Sequence, residues 1–290
     1  MKLVVPFPPG GSSDIPARLI AQKLEQIWNQ PVVVENRAGA TGTIGEGYVA
    51  RAKPDGYTLL VATSSSHTMG PYTIKQLPYN PMADLRAVTL FAWAPHLIVV
   101  HPSVGVGTVQ ELIELARQRP GELNYSTSGN GSSVHLATEI FNRKANISMV
   151  QIPYRGVNPA AIAVASGQAQ LMFPPAVVAL PHIENGTMQA LATLSSERLP
   201  ALPQAPSIQE AGLKDYEFST WVGLLAPAGT PDDIVDKVHA DVARLMTDPK
   251  LRRTLEEMSF IPSAATPEEF SAIIHRETAE HKALITDLGL

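Results

Sequence analysis

The sequence predicts a two-domain α/β protein, and three observations carry that prediction. Apolar strand-like runs alternate with helix-period segments twice, once before residue 63 and again after His101-Pro102. The chain has 290 residues, 44% hydrophobic and 17% charged, which suits two ordinary cores and does not suit a disordered chain. Two Gly/Ser loops, Phe7-Pro8-Pro9-Gly10-Gly11-Ser12-Ser13-Asp14 and Ser126-Thr127-Ser128-Gly129-Asn130-Gly131-Ser132-Ser133, each stand between a strand and a helix. Bare N–H groups at such a helix start form an anion site.

In order, Leu3–Phe7 reads as a buried strand. Asp14–Trp28 reads as a helix with Ile15, Leu19, Ile20, Leu24 and Ile27 on its apolar face, Ser13 or Asp14 as cap, and Pro16 in the tolerated first turn. Pro31–Glu35 is a strand, Asn36–Gly42 a loop, and a helix follows to about Ala52. Pro54-Asp55-Gly56 turns the chain into strand Tyr57–Ala62. This β-α-β-α-β succession predicts a parallel sheet with helices on both faces. Helix Thr108–Arg119, strand Leu123–Thr127, helix Ser132–Lys144, strand Met149–Ile152, helix Pro159–Ser166 and strands Gln170–Phe173 and Met188–Thr193 repeat the scheme. Strand Phe218–Leu225, helix Asp232–Met246 and helical stretches at Leu251–Met258 and Pro267–Leu284 close the chain. The apolar runs His96–Val100 and Trp221–Leu225 read as two crossings between lobes. Lobe one is then residues 1–100 plus 221–290, and lobe two is residues 101–220. Two crossings make a two-strand hinge, and a cleft between the lobes is the expected ligand site.

Composition narrows the function. Net charge is −5 and no Lys/Arg block carries interleaved aromatics, so nucleic acid is not an expected partner. No apolar run reaches the roughly 18 residues of a membrane span. The absence of Cys excludes thiol catalysis, disulfides and thiolate metal sites. His67, His96, His101 and His182 lack metal-ligand spacing, and neither loop has the Lys of a P-loop, so no metal or cofactor is expected. Gly45-Glu46-Gly47 imitates a dinucleotide fingerprint, but it reads as helix entry and close packing.

The candidate binding residues follow from the loops. From the first come Phe7, Pro9, Gly10, Gly11, Ser12, Ser13 and Asp14, with Phe7 either covering a ligand or lying in the core. From the second come Thr127, Ser128, Gly129, Asn130, Gly131 and Ser132. The polar strand end Thr63, Ser64 and Ser65, ahead of Ser66 and His67, reads either as a cleft wall or as a solvated loop. Ser132 and His135 share a helix face. A hydrolase would need a nucleophile elbow and an acid to orient the His, and neither is visible. His135 is therefore structural or ligand-contacting. Tyr154 and Arg155 could meet a distal polar group of a ligand, against the commoner case of surface placement.

Together these segments resemble the solute-binding proteins of tripartite tricarboxylate transporters, the Bug or TctC family. The resemblance spans nearly the whole chain. Its pieces are Val4 through Asp14, Val34-Glu35-Asn36-Arg37-Ala38-Gly39-Ala40-Thr41-Gly42, Pro54-Asp55-Gly56-Tyr57-Thr58-Leu59-Leu60, Ser128 through Leu136, Pro153-Tyr154-Arg155-Gly156 and Pro227-Ala228-Gly229-Thr230-Pro231. It implies a two-lobed, type II periplasmic-binding-protein fold that uses the two loops to pinch the carboxylate of a small ligand. It implies delivery to the membrane subunits of a transporter, a periplasmic location with the leader removed, and a monomer. Many family members have an acid directly after the strand that here ends Leu171-Met172-Phe173. This chain has Pro174-Pro175, which places Phe173 and Pro174 among the candidates and favours a dicarboxylate or aromatic acid over an amino acid. The competing readings are an α/β hydrolase or isomerase acting on a carboxylate through Ser132 and His135 or Asp14, and a sensor serving a signalling partner.

Overall fold

The computed structural model describes residues 1–74 and 76–289. Its elements run β1 (Lys2–Val5), α1 (Asp14–Trp28), β2 (Val33–Asn36), α2 (Thr43–Ala50), β3 (Thr58–Thr63), α3 (Pro81–Asp84), β4 (Leu85–Pro95), β5 (Leu97–Val100), α4 (Val109–Gln118), β6 (Asn124–Thr127) and α5 (Ser133–Ala145). They continue with β7 (Val150–Pro153), α6 (Val157–Ala165), β8 (Leu171–Met172), α7 (Ala176–Glu184), β9 (Gln189–Thr193), β10 (Ser219–Pro227), α8 (Asp232–Leu245), α9 (Pro249–Glu257), β11 (Ile261–Ala265) and α10 (Pro267–Leu288). The chain divides into two units. Unit 1 is Met1–Trp93, Trp221–Leu255 and the chain from Ile261 onward; unit 2 is Ala94–Thr220 with Glu256–Phe260. Unit 2 therefore begins at Ala94 and not after residue 100, because Leu97–Val100 is a strand of its sheet. The short segment Glu256–Phe260, which also belongs to unit 2, has no signal in the sequence.

The sheet of unit 1 has the order β11-β4-β10-β3-β1-β2. β1 lies between β2 and β3 and is parallel to both, with Leu3 opposite Val34 on one side and Leu59 on the other. The sheet of unit 2 has the order β7-β6-β8-β5-β9, with β6 parallel to β7 and β8. Each sheet thus has a parallel trio whose first strand in sequence sits in the middle. The expectation of parallel sheets is corrected in both units. In unit 1 β10 runs antiparallel to β3 and β11 to β4, and in unit 2 β5 runs antiparallel to β8 and β9. β10 and β5 are the strands on which the chain passes into each unit, and they lie directly against the trios.

Central strands read as continuous apolar runs because helices cover both faces. Leu3, Val4, Val5 and Leu59 through Ala62 are buried, whereas Val33 on the edge strand β2 is 56% exposed. The unit 1 core gathers Val4, Leu60, Trp221, Leu225, Phe270 and Ile274. That of unit 2 gathers Leu97, Val99, Ala160, Met172, Ala176 and Leu199. α1 has the expected bounds but buries Ala17, Ile20, Ala21 and Leu24, while Ile15, Leu19 and Ile27 are half-buried. Ser13 is its N-cap residue without a side-chain capping bond, and Asp14 is engaged elsewhere. α10 starts on a full capping box: Thr266 Oγ1 accepts the Glu269 N–H at 3.2 Å, and the Glu269 carboxylate accepts the Thr266 N–H at 2.9 Å.

The parallel trio fixes where function can sit. In an open α/β sheet, ligands meet the carboxyl ends of the strands at the point where the connections diverge to opposite sides. In unit 1 that point lies between β1 and β3, and in unit 2 between β6 and β8.

The packing of β10 yields a test. A Cβ on Gly223 would stand 2.4 Å from Phe270 Cζ and 2.9 Å from the Thr89 carbonyl oxygen. Gly223→Ala must therefore push α10 off the sheet. It should cost about 1–3 kcal/mol, as overpacking does. Chemical denaturation should show this as an earlier midpoint, while Gly229→Ala, whose Cβ meets only Pro54 at an ordinary 3.5 Å, should stay within about 1 kcal/mol of the parent.

Candidate functional site

The loop after β1 is built around one carboxylate. Asp14 is 2% exposed and accepts from four donors. The Gly10 N–H reaches Oδ2 at 2.9 Å, Arg18 reaches both oxygens at 2.8 and 2.9 Å, and Asn36 Nδ2 reaches Oδ1 at 2.8 Å. Asn36 Nδ2 also donates to the Phe7 carbonyl at 3.0 Å, so the end of β2 holds the end of β1. Burial opposes ionisation of Asp14, but the Arg18, Gly10 and Asn36 bonds outweigh it and hold the carboxyl below its ordinary range. Asp14 therefore shapes the loop from inside and has no capacity left for a ligand. What the loop does offer is backbone. The N–H groups of Ser12 and Ser13 stand at the N-terminal end of α1, ahead of its first helical residue Asp14. The Gly11 carbonyl starts α1 by accepting from Asp14 and Ile15.

The segment after β3 is neither an open strand end nor a solvated loop. Ser65–Met69 forms a π-helical turn, and Thr63 through Met69 are all buried. Such turns recur at functional positions. Its hydroxyls point inward. Ser66 Oγ accepts the Thr63 N–H at 3.1 Å and pairs with the Thr63 carbonyl at 3.2 Å. Ser64 Oγ accepts the Trp221 N–H at 3.1 Å, and Glu277 Oε2 accepts from Trp221 Nε1 at 2.7 Å. Thr68 Oγ1 donates to the Ser64 carbonyl at 2.9 Å, so His281 Nδ1 must carry the proton it shares with Thr68 at 2.9 Å. His67 Nδ1 meets Glu46 Oε2 at 3.2 Å, and Tyr79 donates to the same oxygen at 3.1 Å. Burial pushes Glu277 up to about 7 against the lowering bond from Trp221, and burial pulls His281 down to about 4.

A third segment closes this corner of unit 1. Gly39, Ala40, Thr41 and Gly42 have φ of 137°, 46°, 50° and 98° in succession. A Cβ on Gly42 would stand 2.5 Å from Ser66 Cβ and 3.3 Å from Phe7 Cζ, so only glycine lets the three segments meet. Phe7 is half-buried there.

In unit 2, Ser132 caps α5 by accepting the His135 N–H at 3.3 Å. The Gly131 N–H donates to His135 Nδ1 at 3.1 Å. Gly131 has φ 67°, and that bond needs the left-handed backbone. With Nδ1 accepting, the imidazole proton sits on Nε2. Burial lowers the pKa of His135, so it is an uncharged donor at neutral pH. Thr127 Oγ1 accepts from Gln151 Nε2 at 2.8 Å, and the Thr127 carbonyl accepts the Tyr154 N–H at 2.8 Å. Ser128 and Gly129 are half-buried, Asn130 is exposed, and Arg155 is exposed. The Tyr154 side chain packs against the unit 2 core. After β8, Phe173 is fully buried with its ring 5.1 Å from Phe141, and its carbonyl pairs with His96 Nδ1 at 2.8 Å. The Pro174 carbonyl accepts the Leu97 N–H at 2.9 Å.

The sequence candidates thus sort into three groups. Pro9, Gly11, Ser12 and Ser13 in unit 1, and Thr127, Ser128, Gly129, Asn130 and His135 in unit 2, lie at the strand ends that the topology selects. Asp14, Ser64, Phe173 and the N–H groups of Gly10 and Gly131 are taken up by internal contacts. Arg18, Asn36, Glu46, Glu277 and His281 escaped the sequence reading. Glu277 and His281 carried a signal, since they continue the Phe270–Ile274 spacing of α10's inner face. Among the described residues no group of three His, Asp or Glu side chains could hold a metal, and no helix is long and apolar enough to cross a membrane.

Comparison with known proteins places the chain in a family. The family described as the tripartite tricarboxylate transporter family receptor, TctC, matches residues 16–290. Protein BugT of Bordetella pertussis is 33% identical over 292 aligned residues, covering 100% of this chain and 89% of BugT. The structure of R. palustris Rpa4515 with adipate is similar at TM-score 0.96 and 34% identity, covering 100% of this chain and 97% of that one. MatC from Rhodopseudomonas palustris with bound malate is similar at TM-score 0.90 and 30% identity, covering 98% of each. The chain belongs to the tripartite tricarboxylate transporter receptor family, TctC.

Proposed function

We propose that this protein captures a small carboxylate, preferably a dicarboxylate or aromatic acid, for the membrane subunits of a tripartite transporter. It works in the periplasm as a monomer. The observation that carries the reading is the Gly11-Ser12-Ser13 loop at the start of α1 and at the carboxyl end of β1. Backbone N–H groups at a helix start, with the helix dipole behind them, suit a carboxylate and need no Lys. The loop after β6, with the Nε2–H of His135, supplies donors of the same uncharged kind in unit 2. The adipate and malate bound by Rpa4515 and MatC support the ligand class.

Chemistry on the ligand is disfavoured by the one pair that could provide it. Ser132 Oγ is bonded to the backbone N–H of His135 and not to its ring, and Nδ1 is occupied by Gly131. A nucleophile needs its base within hydrogen-bond reach, and here the base faces elsewhere. The protein therefore acts as a receptor and not as an enzyme.

Pro174 bears on selectivity. It offers neither a carboxylate nor an N–H, and its carbonyl is bonded to Leu97. A ligand ammonium would lack a partner there, which costs several kcal/mol in a buried site. Calorimetry should give tight binding of adipate, malate or an aromatic acid and none of aspartate or glutamate. Tight binding of the amino acids alone would overturn the preference.

Two loop substitutions test the placement. Gly11→Val should lower affinity several-fold by blocking backbone approach, and Gly131→Val should do so by breaking the bond that sets the His135 tautomer. Circular dichroism should show both folds intact. Parent-like affinity in both variants would move the site elsewhere.

A further inference from the structure

The two strands between which the unit 1 connections diverge, β1 and β3, lie side by side with Leu3 opposite Leu59. Phe7 is the second residue beyond β1, and Ser66 the third beyond β3. The two meet across Gly42, where a Cβ would stand 3.3 Å from Phe7 Cζ and 2.5 Å from Ser66 Cβ. The tip of the Phe7 ring is thus seated on bare backbone. Its main chain is fixed as well. Asn36 Nδ2 donates to the Phe7 carbonyl at 3.0 Å, and a Cβ on Gly45 would stand 2.9 Å from Cα of the preceding Pro6. Pro6 and Gly42 are buried, yet the Phe7 ring is only half-buried. The hydroxyls of the adjoining segments are engaged with backbone. Ser66 Oγ pairs with the Thr63 N–H and carbonyl at 3.1 and 3.2 Å, and Thr63 Oγ1 accepts the Ser66 N–H at 3.3 Å. Thr43 Oγ1 donates to the Ala40 carbonyl at 2.9 Å. Two large side chains left open in this corner are apolar: Phe7, and Ile44, which is 56% exposed with its Cδ1 against Gly39.

We propose that Phe7 is a specificity-determining residue of the carboxylate site, its ring lying against the carbon chain of the ligand, so that the receptor selects carboxylates with a plain hydrocarbon chain over those that carry a hydroxyl on it. The inference rests on the carboxylate reading above and names the body of the ligand, which that reading leaves open. The loop divides the ligand by chemistry. The backbone at Gly11, Ser12 and Ser13 meets the charged end. Phe7, earlier in the same loop and at the strand ends where an open α/β sheet receives its ligand, meets the uncharged part. A methylene or an aromatic edge against Phe7 leaves nothing unpaired and removes apolar surface from water. A hydroxyl in that place loses its water and finds the Ser66, Thr63 and Thr43 oxygens already bonded. Turning Ser66 outward to meet it would strand the buried Thr63 N–H. An apolar wall discriminates against one added hydroxyl by up to about a hundredfold. The inference therefore ranks adipate ahead of malate.

Calorimetry on two matched pairs, adipate with 3-hydroxyadipate and benzoate with 3-hydroxybenzoate, reads this preference in the parent protein. In each pair that binds, the hydroxyl-free member should bind tighter by about tenfold or more. A smaller ratio in either pair overturns the inference and leaves the carboxylate reading standing. A parent that binds none of the four refutes both together. Phe7→Gln puts a donor and an acceptor where the ring was, so the ratio should shrink by about fivefold or more. Phe7→Leu keeps hydrocarbon there and should preserve the ratio. A Phe7 that only holds the loop would weaken both members of a pair by the same factor in Phe7→Gln, and that result overturns the inference. Circular dichroism should show both variants folded, because the Asn36 bond is to the Phe7 backbone and survives either substitution. The parent ratio decides by itself if Phe7→Gln does not fold.

Discussion

A carboxylate removed from water must be met by donors or by a proton, and unit 1 depends on that requirement at three places. Asp14 draws the Gly10 N–H, Arg18 and Asn36 onto itself, and so ties the exit of β1 to the end of β2 and the start of α1. Glu46 draws in His67 and Tyr79 and so ties α2 to the π-helical turn. Glu277 draws in Trp221 and so ties α10 to β10. Each carboxylate joins segments distant in sequence, and each lies behind a loop that would otherwise be held only by its backbone.

Much of this was legible from the sequence, and the reasons for the rest are physical. Period and punctuation suffice for α1, whose bounds match, and for the parallel trios, because near-continuous apolar runs and short turns mark buried strands. The reading failed where a residue's partner is remote. Asp14 looks like a cap from its neighbours, but Asn36 is 22 residues away and claims it. Ser64 looks like a ligand donor at a strand end, but the Trp221 N–H, 157 residues away, claims its hydroxyl oxygen. β4 and α7 were hidden because Leu85–Pro95 mixes polar and apolar residues without clear alternation, and because Pro181 interrupts α7. The mixed sheets could not be foreseen either, since strand direction depends on which unit a crossing segment joins.

Unit 2 meets the same demand with fewer charges. Its loop is organised by a cap, a left-handed glycine and a neutral imidazole, and Glu139 is satisfied by the Tyr125 hydroxyl and by Asn142. The same bonds explain why Ser132 and His135, which sit as a catalytic pair might, are not one. Capping consumes the serine oxygen, and the Gly131 N–H consumes the nitrogen a base would use. What is left is one N–H on Nε2, a donor and not a base.

The charges beneath the strand ends pose a problem that the structure resolves three ways. An anion held over three buried carboxylates would be repelled unless each is neutralised. Arg18 neutralises Asp14 through a fixed two-point contact, which persists over the whole range in which proteins are folded. His67 and Tyr79 stand against Glu46 within one corner of buried side chains. Glu277 accepts the Trp221 indole N–H, and burial raises its pKa to about 7 against that bond. The three are thus met by different partners: a guanidinium at Asp14, an imidazole and a phenol at Glu46, and an indole at Glu277.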